Sequence, residues 1–526
     1  MRFAGLKRKL LCLTLVFSLA AMAQGGPNAL PALGDGLEMS TGAERQLGDR
    51  IARELYRSTA YVDDAILGDY VEGLWLRLMA AARARGELTP EMDEQYAWTI
   101  MLGRDRSVNA FALPGGYMGV HLGLIASVDD ADELASVLAH ELSHITQRHI
   151  ARMISRQGQQ APWMIAAMIL GILAAASSPD AAGALIVGGQ AASVQGQLNF
   201  SRDMEREADR VGYGVMTQAG FNGQGFASMF QKLLQANRHN DTGAFPYLRS
   251  HPLTTERIAD MQARQQLQER SVQARDGVDT AVAHAMLAAR ARVLADTSVD
   301  SLRAAIAQVE TQLLGAATTP SQSTVRLAGV LYAAAWAAAE LRDPQTAQKM
   351  WTRLRTLASD QPQSAYQVRL LGAELALSAG EASRALDVLD QPTAASNAPG
   401  TDGGREKKPR ALSLLRARAL TMAGRDGATR AAQTLQVWLA EHPRDAQAWQ
   451  LLSAASAAQG QTLRAIRADA EAYAARFDYA AARDRYAAAQ DLIKRGTAGN
   501  EYIEASIIET RGKQVEALLR EQMRER

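Results

Sequence analysis

The chain has almost no cysteine. Cys12 is the single thiol among 526 residues, and it lies inside the first apolar run. No intrachain disulfide can form, and if the leader that contains Cys12 is removed, no thiol remains as nucleophile or metal ligand. Chemistry must then come from histidine, carboxylate or hydroxyl groups. A surplus of charge is also missing: Lys and Arg number 57 against 56 acids, a formal +1. No basic field exists to draw nucleic acid along the molecule, so nucleic-acid binding is a poor expectation. Nor does any apolar run reach the roughly 20 residues of a membrane-spanning helix.

At about 150 residues per domain, the length implies two to four folded units. Hydrophobic residues make up 47% and charged residues 21%, a globular composition that excludes wholesale disorder and a collagen-like or coiled-coil rod. Arg2, Lys7, Arg8 and Lys9 precede the apolar run Leu10 to Met22, which closes on Ala21-Met22-Ala23. This reads as a secretory signal peptide over residues 1–23, cleaved after Ala23, with an uncleaved anchor as the alternative. Its removal leaves 53 basic and 56 acidic residues, a formal charge of −3.

Thr41 with Glu44 signals a capped helix start. Val71, Leu74, Trp75, Leu78 and Met79 form one apolar stripe of a second helix. Tyr96 to Leu102 and Asn109 to Ile125 read as strands, with Pro114-Gly115-Gly116 turning a hairpin. Asp130 and Glu133 open a long helix with apolar positions at Leu134, Val137, Leu138 and Leu142. The apolar segment 161–176 is too short to span a membrane unaided; it is either a cover or partner contact, or plain core. Beyond about residue 275 the pattern is helical and Ala-rich, with turn signals at Asp343-Pro344, Gly380, Gly424, Gly460 and Asp478. Pro409 and Pro443 are 34 apart and Gly424 and Gly460 are 36 apart, near the 34-residue period of tetratricopeptide helix pairs. A generic helical bundle is the alternative.

His140-Glu141-Leu142-Ser143-His144 places two imidazoles one helical turn apart, so both can reach one Zn²⁺ at roughly 2.0–2.1 Å. Glu141 then projects beside the metal, where it can take a proton from water attacking a peptide carbonyl. A third protein ligand is required, no cysteine is available, and a carboxylate is sought downstream. Glu205 and Asp209 lie one turn apart in Ser201 to Asp209, one to ligate and one to accept the free N–H of a ligating imidazole. Asp203 and Glu207 have the same spacing on another face, and spacing does not choose between the pairs. All four also fit a solvated charged helix paired with Arg202, Arg206 and Arg210.

Together with Asn109-Ala-Phe-Ala-Leu-Pro-Gly-Gly116 upstream, these motifs resemble the M48 family of zinc metallopeptidases over about residues 40 to 270. The resemblance implies a mainly α protein: a zincin-like α+β metalloprotease domain with a small sheet and hairpin at 24–275, then an all-α tetratricopeptide-like repeat domain at 276–526. It implies one Zn²⁺ per chain on His140, His144 and Glu205, Glu141 as catalytic base, and Asp209 behind the ligands. It also makes Asn109, Ala110, Phe111, Ala112 and Leu113 the edge on which an extended substrate is laid; core packing explains Phe111 equally well. Ser250-His251-Pro252-Leu253 is similar to the segment that in some members carries a histidine to the fourth zinc position. His251 is therefore a candidate switch or oxyanion donor, or else a plain loop residue. His121, His149, His239, His284 and His442 read as surface or capping residues. With the export signal, the whole chain is similar to periplasmic members, which implies outer-membrane β-barrel proteins and their assembly complex as partners and permits peripheral membrane contact. A scaffold or chaperone with a rarely used protease site is the competing expectation.

Overall fold

The computed structural model describes residues 39–156, 201–238, 246–268, 277–314, 320–359, 361–391, 401–402, 405–406, 409–496 and 502–525. The signal peptide 1–23, the apolar segment 161–176 and the boundary expected at 275 lie outside these residues. Helix α1 (Thr41–Arg57) starts one residue earlier than its sequence signal: Ser40 is the cap, its hydroxyl accepting from Ala43 N–H. Glu44 turns inward instead, accepting from the Tyr96 hydroxyl at 2.6 Å and the Arg148 guanidinium at 3.0 Å. After strand β1 (Tyr61–Val62), helix α2 (Ala65–Ala84) buries the whole expected stripe, with Trp75 2% exposed at its centre.

Helix α3 (Pro90–Gln95) leads into β2 (Thr99–Gly103), β3 (Ala110–Leu113) and β4 (Tyr117–His121). The sheet runs β1-β2-β4-β3, with β2 parallel to β4 and β3 antiparallel to it. Among the described residues strand β3 is therefore an edge. The strand expected as far as Ile125 ends at His121, and Leu122–Ser127 is helix α4. The turn between β3 and β4 needs its glycines: Gly115 and Gly116 have φ of 70° and 85°, a region where a Cβ is disfavoured. A Cβ on Gly115 would also stand 2.6 Å from the Arg45 backbone.

Helix α5 (Ala131–Thr146) is buried on nearly every side. Asp130 caps it as expected, accepting from Glu133 N–H at 2.8 Å. Helices α6 (His149–Arg156), α7 (Arg202–Gln218), α8 (Gln224–Arg238), α9 (Tyr247–Ser250) and α10 (Thr255–Gln268) follow. Helix α7 lies close against α5 because Gly212 meets the Ala139 backbone; a Cβ there would come 3.0 Å from the Ala139 carbonyl.

From helix α11 (Val278–Ala295) onward the described residues form helices and the turns between them, apart from a two-residue strand pair, Thr401–Asp402 with Arg405–Glu406. The expected turn positions Gly380, Gly424 and Gly460 have φ of 79°, 107° and 78°. Asp343, Asp445 and Asp478 cap the helices that follow them. The helical half shares apolar packing with the sheet-bearing half, since Leu287, Leu370 and Val388 belong to the same core as Val71 and Leu74. Charge reinforces the junction. Asp64 takes Arg290 by two bonds of 2.6 and 2.9 Å, and Asp63 takes Arg410 at 2.8 Å. Asp69, on α2, accepts the backbone N–H groups of Arg410 and Ala411 at a helix start in the other half.

Candidate metal centre

Periodicity puts His140 and His144 on one face of α5, their rings 4.7 Å apart and their Nε2 atoms 3.0 Å apart. The close approach of α7 brings Glu205 beside them: its oxygens lie 3.5 Å from His140 Nε2 and 3.4 Å from His144 Nε2. His251, just past α9, completes the group, with Nδ1 3.0 Å from Glu205 Oε1 and 3.3 Å from His140 Nε2. One ligand atom from each of the four residues fits within 4.8 Å, and all four residues are buried.

Three imidazoles and one carboxylate are a donor set for zinc or a neighbouring transition metal. The polar atoms favour that reading. Glu205 Oε2 accepts no aligned hydrogen bond among the described residues, although Arg257 Nη1 stands 2.7 Å away, and Glu205 Oε1 faces the imidazoles of His144 and His251 at 3.4 and 3.0 Å, where a shared cation would fit. Burial works against ionisation of Glu205, but His251 and the contacts from His140 and His144 outweigh it and hold the carboxyl well below its usual range. Burial lowers His144 well below the usual imidazole range, keeping it neutral. A carboxylate and a neutral imidazole are the ligating forms.

The packing of α7 sends the two acidic pairs to different surroundings. Asp203 is exposed and pairs with Arg206; Glu207 meets His149 and Arg152 at the rim. Glu205 and Asp209 face inward. Asp209 Oδ1 lies 2.9 Å from His140 Nδ1, off the ring N–H axis. Burial opposes the charged form of His140, yet Asp209 and Glu205 raise it to about 9.

Glu141 is 0% exposed. Its Oε2 accepts from Ala112 N–H at 2.9 Å, and Oε1, 3.4 Å from His251 Nε2, accepts no hydrogen bond among the described residues. Burial raises its pKa. The same bond locates the edge strand. Asn109 O accepts from His121 N–H on β4, so alternate residues of β3 turn inward to the sheet and Ala112 turns its N–H outward, to Glu141. Asn109, Ala110, Ala112 and Leu113 are buried; Phe111 is half-buried, with its ring lying where a Cβ on Gly119 would be, 2.1 Å from Cζ.

Three of the histidines expected as surface or capping residues are buried, and of these His121 stands at the N-cap position of α4. His121 is 8% exposed and bonded to the Ser107 hydroxyl, and His284 is 1% exposed and bonded to the Tyr70 hydroxyl. His149 is 0% exposed, with Nδ1 2.8 Å from His144 Nδ1 and Nε2 3.0 Å from Glu207. The positive φ of Arg148, 52°, ends α5 and turns His149 back beneath it. His442 is half-buried at a helix C-terminus, and His239 lies outside the described residues. Two further residues went unread in the sequence. Tyr247 stacks on His251 with ring centroids 4.6 Å apart, and Arg257 grips Asp209. The signals were a tyrosine four residues before His251 and an arginine six after it, neither meaningful before the chain is folded.

Residues 76–265 match peptidase family M48. A Vibrio cholerae protein provisionally named beta-barrel assembly-enhancing protease is 37% identical over 260 residues, 49% of this chain and 52% of that one. The Beta-barrel assembly-enhancing protease of Escherichia coli (strain K12) is 35% identical over 239 residues, 45% of this chain and 47% of that protein. The Mitochondrial metalloendopeptidase OMA1 of Saccharomyces cerevisiae is 26% identical over 196 residues, 36% of this chain and 54% of that one. The chain spans about half the length of the curated relatives it matches. No helix among the described residues is long and apolar enough to cross a membrane.

Proposed function

We propose that this protein, whose residues 76–265 match peptidase family M48, is an exported zinc endopeptidase that acts in the assembly and quality control of outer-membrane β-barrel proteins. The observation that carries the catalytic part is the convergence of His140, His144 and Glu205 in one buried group with Glu141 beside it. The printed names of the Vibrio and Escherichia relatives support the substrate class and an envelope location.

His140, His144 and Glu205 would hold one zinc ion, which when bound supplies Lewis-acid polarisation of the scissile carbonyl. Glu141 takes the proton of the attacking water at Oε1 and delivers it to the departing amine. Its Oε2 is anchored by Ala112 N–H, so the free oxygen keeps its aim. Asp209 orients His140. An extended client lies along the β3 edge over 109–113 and pairs with the outward backbone groups that Glu141 does not take, which brings its peptide groups beside the base.

The position of His251, within 3.3 Å of both His140 and Glu205, supports a second reading in which the resting site is closed and the protein serves mainly as a scaffold. In both readings residues 24–275 are the catalytic domain. Residues 276–526 then form a tetratricopeptide-like surface for clients and the assembly complex, and residues 1–23 are removed after Ala23.

The test replaces Glu141 by Gln and measures zinc content, cleavage of an unfolded β-barrel client, and rescue of outer-membrane assembly in cells lacking the protein. Loss of cleavage by about 10²–10⁴-fold with zinc retained is expected. Rescue that survives this loss favours the scaffold; unchanged cleavage overturns the peptidase.

A further inference from the structure

Arg257 lies on α10, six residues after His251, and is 3% exposed. Its guanidinium meets three acceptors in two separate segments. Nε and Nη2 fork onto Asp209 at 2.6 and 2.8 Å. Nη1 donates to the Pro252 carbonyl at 2.8 Å and stands 2.7 Å from Glu205 Oε2. The Glu205 contact is one of charge, since that oxygen receives no aligned N–H. The Phe230 ring backs the guanidinium, its centroid 5.3 Å from Cζ.

A buried ion pair that served packing alone would need only the Asp209 fork. Here the same rigid group also reaches a candidate metal ligand and the carbonyl of the residue next to His251. Arginine can do this because its donors are fixed in one plane and it stays charged.

We infer that Arg257 is a positioning residue that ties the His251 segment to the α7 carboxylates and so sets both the aim of Glu205 and the residence of His251 at the fourth metal position. This rests on the metal-centre reading above. Lysine preserves the charge but cannot span Asp209, Glu205 and Pro252 together. The Nη1 bond to the Pro252 carbonyl holds the backbone next to His251, which makes Arg257 a restraint on movement of that segment away from the metal group.

The experiment uses the full-length protein and two readouts that do not depend on turnover. Zinc affinity is measured by chelator competition, and the coordination sphere by visible absorption after cobalt replaces zinc, because band intensity reports coordination number and ligand set. Arg257→Lys is expected to weaken zinc binding about 10–100-fold and to move the cobalt spectrum toward that of His251→Ala. On a His251→Ala background, Arg257→Lys should leave the spectrum unchanged while still weakening affinity. Affinity within threefold of the parent, or a parent-like spectrum, overturns the inference. If Arg257→Lys does not fold, Arg257→Gln is measured in the same way; failure of both to fold, while Asp209→Asn folds and binds zinc normally, reduces Arg257 to a structural residue and also overturns it. A parent protein that binds no zinc would sink the proposed function itself, a separate result.

Discussion

His149 Nδ1 lies 2.8 Å from Nδ1 of His144, and its Nε2 lies 3.0 Å from Glu207 Oε2. The imidazole is fully buried and Glu207 sits at the rim, anchored by Arg152. His149 thus supports the far side of a candidate metal ligand, leaving Nε2 of His144 directed at Glu205. A partner of this kind fixes ring orientation and strengthens the ligand. His149→Ala should weaken zinc binding by about 10–100-fold in a chelator competition while far-ultraviolet circular dichroism is unchanged; equal affinities would remove His149 from the site.

The contact at Gly212 makes a contrary pair of effects measurable. Alanine there gains helix propensity, by about 1 kcal/mol, but its methyl would stand 3.0 Å from the Ala139 carbonyl. Separation of α7 from α5 by a few tenths of an ångström moves Glu205 away from His140 and His144. Gly212→Ala should therefore leave urea stability within about 1 kcal/mol of the parent and reduce zinc affinity about tenfold. Unaltered affinity would mean that the helix spacing does not set the ligand geometry.

Phe111 and Gly119 face each other across β3 and β4, in register. A methyl at Gly119 would lie 2.1 Å from the Phe111 ring, so the ring must leave or the edge must bend. Gly119→Ala should cost about 1–3 kcal/mol in urea unfolding, and most of the loss should return in the Gly119→Ala, Phe111→Ala double variant. If the double variant is as unstable as the sum of the singles, the clash is not the cause.

Asp69 offers a pH test. Burial raises its carboxyl to about 7; the Ala411 and Arg410 backbone bonds and the Arg410 charge pull the other way, and Glu72 adds to the rise. With the folded value above the unfolded one, the native state holds the extra proton between about pH 4 and 7. Stability associated with Asp69 must then fall as pH rises through that window. Asp69→Asn keeps a carbonyl oxygen to accept from the Arg410 or Ala411 N–H but cannot ionise. Relative to the parent it should gain stability between pH 4.5 and 7.5, by at most about 4 kcal/mol. A parallel pH profile for the two proteins in urea titrations would refute this assignment.

The local features were legible because their causes are local. A turn of helix separates His140 from His144 whatever surrounds them, Asp130 caps the residues next to it, and a glycine at 115, 424 or 460 permits a backbone that other residues resist. The apolar stripe of α2 and the hairpin follow from period alone. The helix start misread at Thr41 shows the limit of such signals: Ser40 was the better cap, and Glu44 was taken by Tyr96 and Arg148 from other parts of the chain.

By itself, the sequence determined that two imidazoles and a carboxylate sit on one helix, that acids recur one turn apart some sixty residues later, and that the second half is helical. Tertiary structure alone decided that Glu205 rather than Glu207 meets His140 and His144, that His149 and Arg257 stand behind them, and that β3 is the edge of the described sheet, beside Glu141. Periodicity sets which residues share a face, but what that face meets depends on the close packing of distant segments, here on Gly212 against Ala139, and no local pattern encodes that contact.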